Sequence, residues 1–169
     1  MTQERKRTYK RKSADNISAA ATEMGNVPPQ ATDVEEAVLG AMMVNTDSVD
    51  QSMDLLKPES FYDGRNRAIF EAMYELFNER LPIDMLTVVD KMKQKGTLND
   101  VGGPARLAAL TQQVGTGANV EYYVRILQQK AIQRNLIEAS YGILKDAFDP
   151  SIPVDDLVTT AQDNVYNAI

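Results

Sequence analysis

Apolar residues recur every three to four positions along most of this chain, the spacing of helices that bury one face. Val34, Val38, Leu39 and Met42 predict a first helix running to about Val44, and Thr32-Asp33-Val34-Glu35 in front of it has the form of a capping box. Asp33, Glu35 and Glu36 also place negative charge at the positive end of that helix's dipole. A short second helix is predicted over residues 47–56, beginning at Asp47 and stopped by Pro58. A third follows Asp63-Gly64, with Ile69, Met73, Leu76 and Phe77 on one face. A fourth follows Leu81-Pro82-Ile83-Asp84, with Asp84 as its cap and Leu86, Val89 and Met92 facing inward. Lys91, Lys93 and Lys95 ahead of Gly96 suit a helix C-terminus, and Val101-Gly102-Gly103-Pro104 is a further stop and start, with Pro104 expected at the first position of a fifth helix.

The last third reads differently. After Gly115-Thr116-Gly117, Asn119 is placed to cap a helix that meets no proline until Pro150 and has Gly142 as its one weak point. Some 30 residues at about 1.5 Å each span about 45 Å. Ser151-Ile152-Pro153 turns the chain, Asp155 and Asp156 occupy the first turn of a final helix, and Leu157, Val158, Ala161, Val165 and Tyr166 form its apolar side. Two helices joined by a short turn make an αα-hairpin. The predicted fold class is all-α: a disordered basic tail over residues 1–27, ended by Pro28-Pro29, then a small helical bundle as a head over 28–117, then a protruding helical hairpin over 118–169.

The long helix carries more apolar surface than one neighbour covers. Tyr123, Leu127, Ile137, Tyr141 and Phe148 follow one line; Ile126, Ala131, Ile132 and Leu136 lie on adjacent ones, and Val124, Ala139, Ile143 and Ala147 widen the coverage. A single stripe spans only about a third of a surface helix. Each fully buried aliphatic side chain stabilises by about 1.5–3 kcal/mol, so the surplus favours association. The expected arrangement pairs two copies through their hairpins about a twofold axis, with Tyr123, Ile126, Leu127, Leu136, Tyr141, Leu157, Val158 and Val165 as the self-association residues. The competing reading packs the long helix entirely against its own head.

Composition narrows the chemistry. The 169 residues include no cysteine and no histidine, which removes disulfides, thiolate metal sites and the commonest general base together. No apolar run approaches the roughly 18 residues of a membrane span and no secretory signal opens the chain, so a cytoplasmic protein with no membrane partner is expected. The net charge of −6 is uneven: residues 1–27 hold six basic residues (Arg5, Lys6, Arg7, Lys10, Arg11, Lys12) against three acids, net +3, and the remainder holds 12 basic against 21 acidic residues, net −9. An acidic body repels a phosphate backbone, so weak contact with DNA, where it occurs at all, is assigned to the tail. Gly115-Thr116-Gly117 has no strand before it and is read as a loop, not a nucleotide cradle. The acidic groups Asp33/Glu35/Glu36 and Asp155/Asp156 sit in first helical turns, where capping accounts for them, and Tyr122-Tyr123 point about 100° apart on a helix, which fits core and interface better than base stacking. No catalytic, cofactor or metal site is expected.

Taken in order, Pro28-Pro29-Gln30, Glu35-Glu36-Ala37-Val38-Leu39-Gly40, Phe61-Tyr62 with Ile69-Phe70, Pro82-Ile83-Asp84 with Thr87, Gly102-Gly103, and Ala118-Asn119-Val120-Glu121-Tyr122-Tyr123 resemble the N-terminal portion of bacterial DnaB-type replicative DNA helicases. The resemblance covers about residues 28–169 and rests on order and spacing. It implies a head and hairpin that pair into dimers, six copies forming a collar in the full-length protein, docking of primase, and contact with a helicase loader or initiator. Ile137 and Ile143 are the candidate primase-docking positions. The resemblance also implies a RecA-like motor using ATP and Mg, yet this sequence contains no G-x-x-x-x-G-K-[ST] loop: Gly96 is followed five positions later by Val101, and Gly102-Gly103 by Pro104 and Ala105. The chain is therefore expected to be a non-catalytic fragment of a longer protein, a collar scaffold for DNA replication. The alternative is a nucleic-acid-binding helical module that uses the basic tail. A small helical enzyme is the third reading, disfavoured by the missing histidine and cysteine.

Overall fold

The computed structural model describes residues 17–113 and 119–169, and among them holds eight helices and no strand. These are α1 (17–24), α2 (Thr32–Val44), α3 (Thr46–Leu55), α4 (Gly64–Asn78), α5 (Met85–Lys95), α6 (Gly103–Gln112), α7 (Val120–Ala147) and α8 (Val154–Ala168), with short 3-10 turns at Pro58–Ser60 and Asn99–Val101. The chain divides into two compact units: Gln30–Ala131, and the N-terminal segment up to Pro29 together with Ile132–Ile169. The boundary falls inside α7, not at 117/118 as the sequence suggests. Val120, Val124 and Leu127 belong to the core of the first unit, so the opening turns of α7 are head, not hairpin. The Gly115-Thr116-Gly117 loop and the basic residues Arg5 to Lys12 lie outside the described residues.

Local chemistry sets most helix ends. Asp63 accepts from the amides of Arg65 and Asn66 at the start of α4, and these donors hold its carboxyl below the usual range although burial works against them. Asp84 and Thr87 form a reciprocal capping box on α5. α3 begins at Thr46, one residue ahead of the predicted Asp47, and Asn45 caps it by accepting from the Asp47 amide at 2.9 Å. Gly96 closes α5 with a left-handed φ of 70°, its Thr97 neighbour donating back to Met92, the Schellman pattern. α4 ends with the same bond pattern, Leu81 N–H to Leu76, but there the left-handed position is Arg80, at φ 58°. α6 starts at Gly103, which puts Pro104 second.

Between the helices of the Gln30–Ala131 unit, α2 packs on α3, α4 and α6, α5 on α4 and α6. Phe61 and Phe70, ring centroids 4.6 Å apart, sit with Leu39, Met42, Ile69, Met73, Met92 and Leu107 at the fully buried centre. Two assignments to that core change. Phe77 and Leu86 are exposed, and Val88 is buried where Leu86 was expected inward. Periodicity gives the direction of a stripe, but its edges depend on what stands opposite. On the outside, Lys95 donates to Glu75 and holds its carboxyl below the ordinary range, Lys91 adding to the effect, and Lys91 bonds Glu79 at 2.6 Å. Pairs of this exposed kind contribute little to stability.

Glu35 differs from its expected role most. α2 begins at Thr32 with Ala31 as its N-cap and no side-chain cap, so the Thr32–Glu35 box is not formed. Instead Glu35, 1% exposed, turns its carboxylate across the unit to the turn ahead of α4. It accepts from the Tyr62 amide at 2.6 Å, the Asp63 amide at 3.3 Å and Asn66 Nδ2 at 2.9 Å. Asn66 Oδ1 in turn accepts from Arg106 Nη2 at 2.8 Å, and the same guanidinium nitrogen reaches Glu36 at 3.0 Å. One buried carboxylate thus joins α2, the turn before α4, and through Asn66 the start of α6.

The region assigned to a tail also departs from expectation. Residues 17–24 are helical, and Ile17, Ala20, Ala21 and Met24 stand at i, i+3, i+4 and i+7. A stripe built largely from alanine carries little hydropathy signal, yet alanine is the strongest helix former and lets a helix approach its neighbour closely.

Glu35→Ala should cost about 3 kcal/mol, because it leaves buried amide donors without an acceptor. Thr32→Ala, at the position the sequence marks as the cap, should cost under about 0.5 kcal/mol. Urea unfolding of both variants with unchanged m-value checks the pair, and equal losses would contradict the assignment.

Candidate functional site

α7 is 28 residues long, about 42 Å at 1.5 Å per residue. From Ile132 onward it belongs with α8. The chain leaves α7 through Phe148 and reverses in a turn tightened by Asp149, whose carboxylate accepts from the Ser151 hydroxyl at 2.6 Å and its amide at 2.9 Å; those two donors hold its pKa low. Asp155 and Asp156 then open α8, as expected. At the far end of α8, the Ala168 carbonyl accepts from Asn135 Nδ2 at 3.4 Å, so the two helices run antiparallel as a hairpin.

The periodicity of α8 resolves into two apolar lines. Leu157, Ala161 and Ala168 are half-buried or buried and form the inner line. Val154, Val158, Val165 and Ile169, at i, i+4, i+11 and i+15, fall within about 60° of one another at 100° per residue. All four are exposed, Val154 at 71% and Ile169 at 79%. Tyr166 at 83%, Leu144, and Phe148 at 81% add to the uncovered apolar surface of the same unit. Isolated exposed hydrophobics are ordinary, but a line of three along one helix, continued by Ile169 just past its end, is a surface.

The sequence-predicted association residues distribute unevenly. Val158 and Val165 are exposed, and Leu136, Tyr141 and Leu157 are half-buried in the hairpin unit. Tyr123 and Ile126 are half-buried on the opening turns of α7. Leu127 is 1% exposed within the core of the Gln30–Ala131 unit and drops out of the set, its line on α7 being sealed by the chain's own head. Val154 and Ile169 are exposed like Val158 and Val165 and stand at i, i+4 spacing from them.

Of the two docking candidates, Ile143 is half-buried, and Ile137 lines a small apolar cavity of about 60 Å³ with Ile17, Ala20, Ala21 and Met24 of α1 and with Val27. Just N-terminal to Ile137 in α7, Arg134 is 5% exposed and donates to the Pro29 carbonyl at 2.8 Å.

The Gln30–Ala131 unit has its own open feature, a groove of about 790 Å³ lined by Met43, Val49, Phe77, Leu81 and Ile83 among others. Among the described residues no three potential metal-ligating side chains cluster, and no helix is long and apolar enough to cross a membrane.

Comparison with known proteins places this architecture. A family model described as the DnaB-like helicase N terminal domain matches residues 27–129. The replicative DNA helicase DnaB of Rhodothermus marinus is 35% identical over 161 residues, which are 95% of this chain and 17% of that protein. DnaB of Geobacillus stearothermophilus is 34% identical over 135 residues, 80% of this chain and 30% of that protein. The chain therefore spans less than a third of the length of either relative. A crystal structure of the N-terminal domain of DnaB helicase from Mycobacterium tuberculosis matches with a TM-score of 0.74 at 30% identity, covering 83% of this chain and 99% of that one. With an all-helical fold shared almost end to end and a family model matching well over half its residues, this chain belongs to the DnaB-like helicase N-terminal domain family.

Proposed function

We propose that this chain is a non-catalytic association platform within a replicative helicase, pairing copies through the hairpin, contributing to assembly of a six-membered ring and offering a docking surface for primase. The observation that carries the reading is the second apolar line of α8. A helix that already packs its inner line on α7 has no intramolecular use for Val154, Val158, Val165 and Ile169. The same four turns laid against a second copy remove them from water, and a twofold arrangement places the line against itself. Half-buried Leu136 and Tyr141 on α7 remain candidates for the same pairing, Ile143 on α7 is the docking position for primase, and a helicase loader or initiator is a further partner of the assembled collar. Nucleotide and magnesium belong, in this reading, to a motor domain outside the chain, and the protein acts in the cytoplasm.

A second reading has one observation in its favour. The net +3 of residues 1–27 precedes a body of net −9, so nucleic-acid contact through Arg5, Lys6, Arg7, Lys10, Arg11 and Lys12 is the route that net charge favours. Six tails on one ring reinforce weak contacts by avidity.

Three outcomes follow. The Val158→Asp/Val165→Asp variant should raise the dimer dissociation constant at least about 100-fold, near 2.7 kcal/mol, in sedimentation across a concentration series. A wild-type chain that stays monomeric up to millimolar concentration would sink the platform reading. Ile143→Asp should weaken binding of a primase fragment about tenfold or more while the helical circular dichroism holds; unchanged affinity rejects that position. Removing residues 1–12 from the full-length assembly should flatten the dependence of DNA affinity on salt, and an unchanged slope excludes the tail.

A further inference from the structure

One stripe of α7 is covered at its beginning and bare at its end. Ile137, Tyr141 and Leu144 stand at i, i+4 and i+7, within about 60° of one another at 100° per residue. Phe148, one residue past the helix, continues their line. Ile137 and Tyr141 are half-buried, whereas Leu144 is 52% exposed and Phe148 81%. α1 lies beside the covered end: Ile17, Ala20, Ala21 and Met24 line the apolar cavity next to Ile137, in the same compact unit. Three properties of the chain ahead of α1 fit it to the bare end. The first is reach. Phe148 is about 16 Å beyond Ile137 along the helix, and the eight residues from Ile17 back to Tyr9 span up to about 27 Å. The second is charge. Residues 4–12 hold six basic residues and one acid, and residues 144–158 hold Asp146, Asp149, Asp155 and Asp156 against Lys145 alone. None of those four acids is in an ion pair among the described residues. The third is an apolar anchor: Tyr9 is the one large apolar side chain in residues 2–16 and stands amid the bases.

We propose that residues 5–12 dock on the far end of the α7 stripe, Tyr9 against Leu144 and Phe148, with the lysines and arginines around it facing the acids of the hairpin turn. The inference stands apart from the pairing of hairpins through α8. Charge selects this occupant over the others: the same end of a second hairpin brings the same four acids, and a phosphate backbone is repelled by them. Exposed ion pairs are individually weak, so the aromatic anchor and the bases act together. Bases held on the hairpin are withdrawn from any nucleic acid for as long as they stay there.

The chain has no tryptophan, so Tyr9→Trp in the full chain supplies a single fluorescent reporter. Its quenching by acrylamide should be at least about twofold weaker than in a synthetic peptide of residues 1–16 with the same substitution, because the docked ring is covered. Adding Leu144→Asp/Phe148→Asp should restore peptide-like quenching. Raising salt from about 0.05 M to about 0.5 M should also weaken the protection. The protection should hold on dilution and in a Val158→Asp/Val165→Asp background, so a failure of hairpin pairing leaves this test untouched. Peptide-like quenching in the full chain overturns the proposal, as does protection that survives Leu144→Asp/Phe148→Asp or is unmoved by salt. Protection that appears only as protein concentration rises assigns the stripe to a second copy and overturns it equally. Should the double variant lose its helical circular dichroism, Phe148→Ser, at an exposed position, decides by the same comparison.

Discussion

A carboxylate taken out of water has to be answered, and in this chain Glu35 is answered entirely by groups distant in sequence. The amides of Tyr62 and Asp63 and the side-chain amide of Asn66 converge on its two oxygens. Those donors are fixed only when the turn before α4 is fixed, and Asn66 is oriented by Arg106 at the start of α6. Unpaired, such a group would cost several kcal/mol, a large share of the stability of an ordinary domain. The apolar centre around Phe61, Phe70 and Met73 supplies the driving force for collapse, but an apolar centre tolerates more than one arrangement of helices. The Glu35 network admits one, and so fixes the register in which α2, α4 and α6 meet.

That fixed unit sets the start of α7. Val120, Val124 and Leu127 lock its opening turns into the core, and from Ile132 onward the helix has other neighbours. The division of labour within one helix explains why its apolar residues appear on nearly every side. They serve the head core at one end and the hairpin at the other, so a single stripe does not describe them. What is left over after both demands is met lies mainly on α8, where four exposed residues follow one line. Membership in the DnaB-like helicase N-terminal domain family fits an all-helical chain in which much of the distinctive apolar surface lies on the hairpin.

Features resting on near neighbours in sequence were legible: the start of α4 after Asp63, the Asp84 cap, the Gly96 terminus, the two-helix hairpin and the all-α class. Features resting on distant contacts were not. A glutamate three residues after a threonine reads as half of a capping box, and only the fold reveals that Tyr62 and Asn66 outcompete the Thr32 partner. Phe77 and Leu86 sit at the margins of correct stripes, where one neighbouring helix more or less decides between core and solvent. Leu127 fell on a correctly drawn apolar line whose covering partner, the chain's own head, was underestimated in reach. α1 escaped notice because alanine contributes helix propensity without hydropathy. The surface itself was half visible: Val158 and Val165 were named, and Val154 and Ile169 complete the line they began.

The bond between Arg134 and Pro29 spans 105 residues, and it orders events during synthesis. The N-terminal segment emerges from the ribosome first, with the face of Ile17, Ala20, Ala21 and Met24 uncovered, while the stretch of α7 that receives it is made about a hundred residues later. The intervening unit has all of its own core residues, through Leu127, before that stretch exists, so it is able to consolidate early. The segment must wait for its seat, as contacts of high sequence separation do. Its modest greasiness then has a second merit: alanine-rich helices wait in water at less hazard of sticking than leucine-rich ones would.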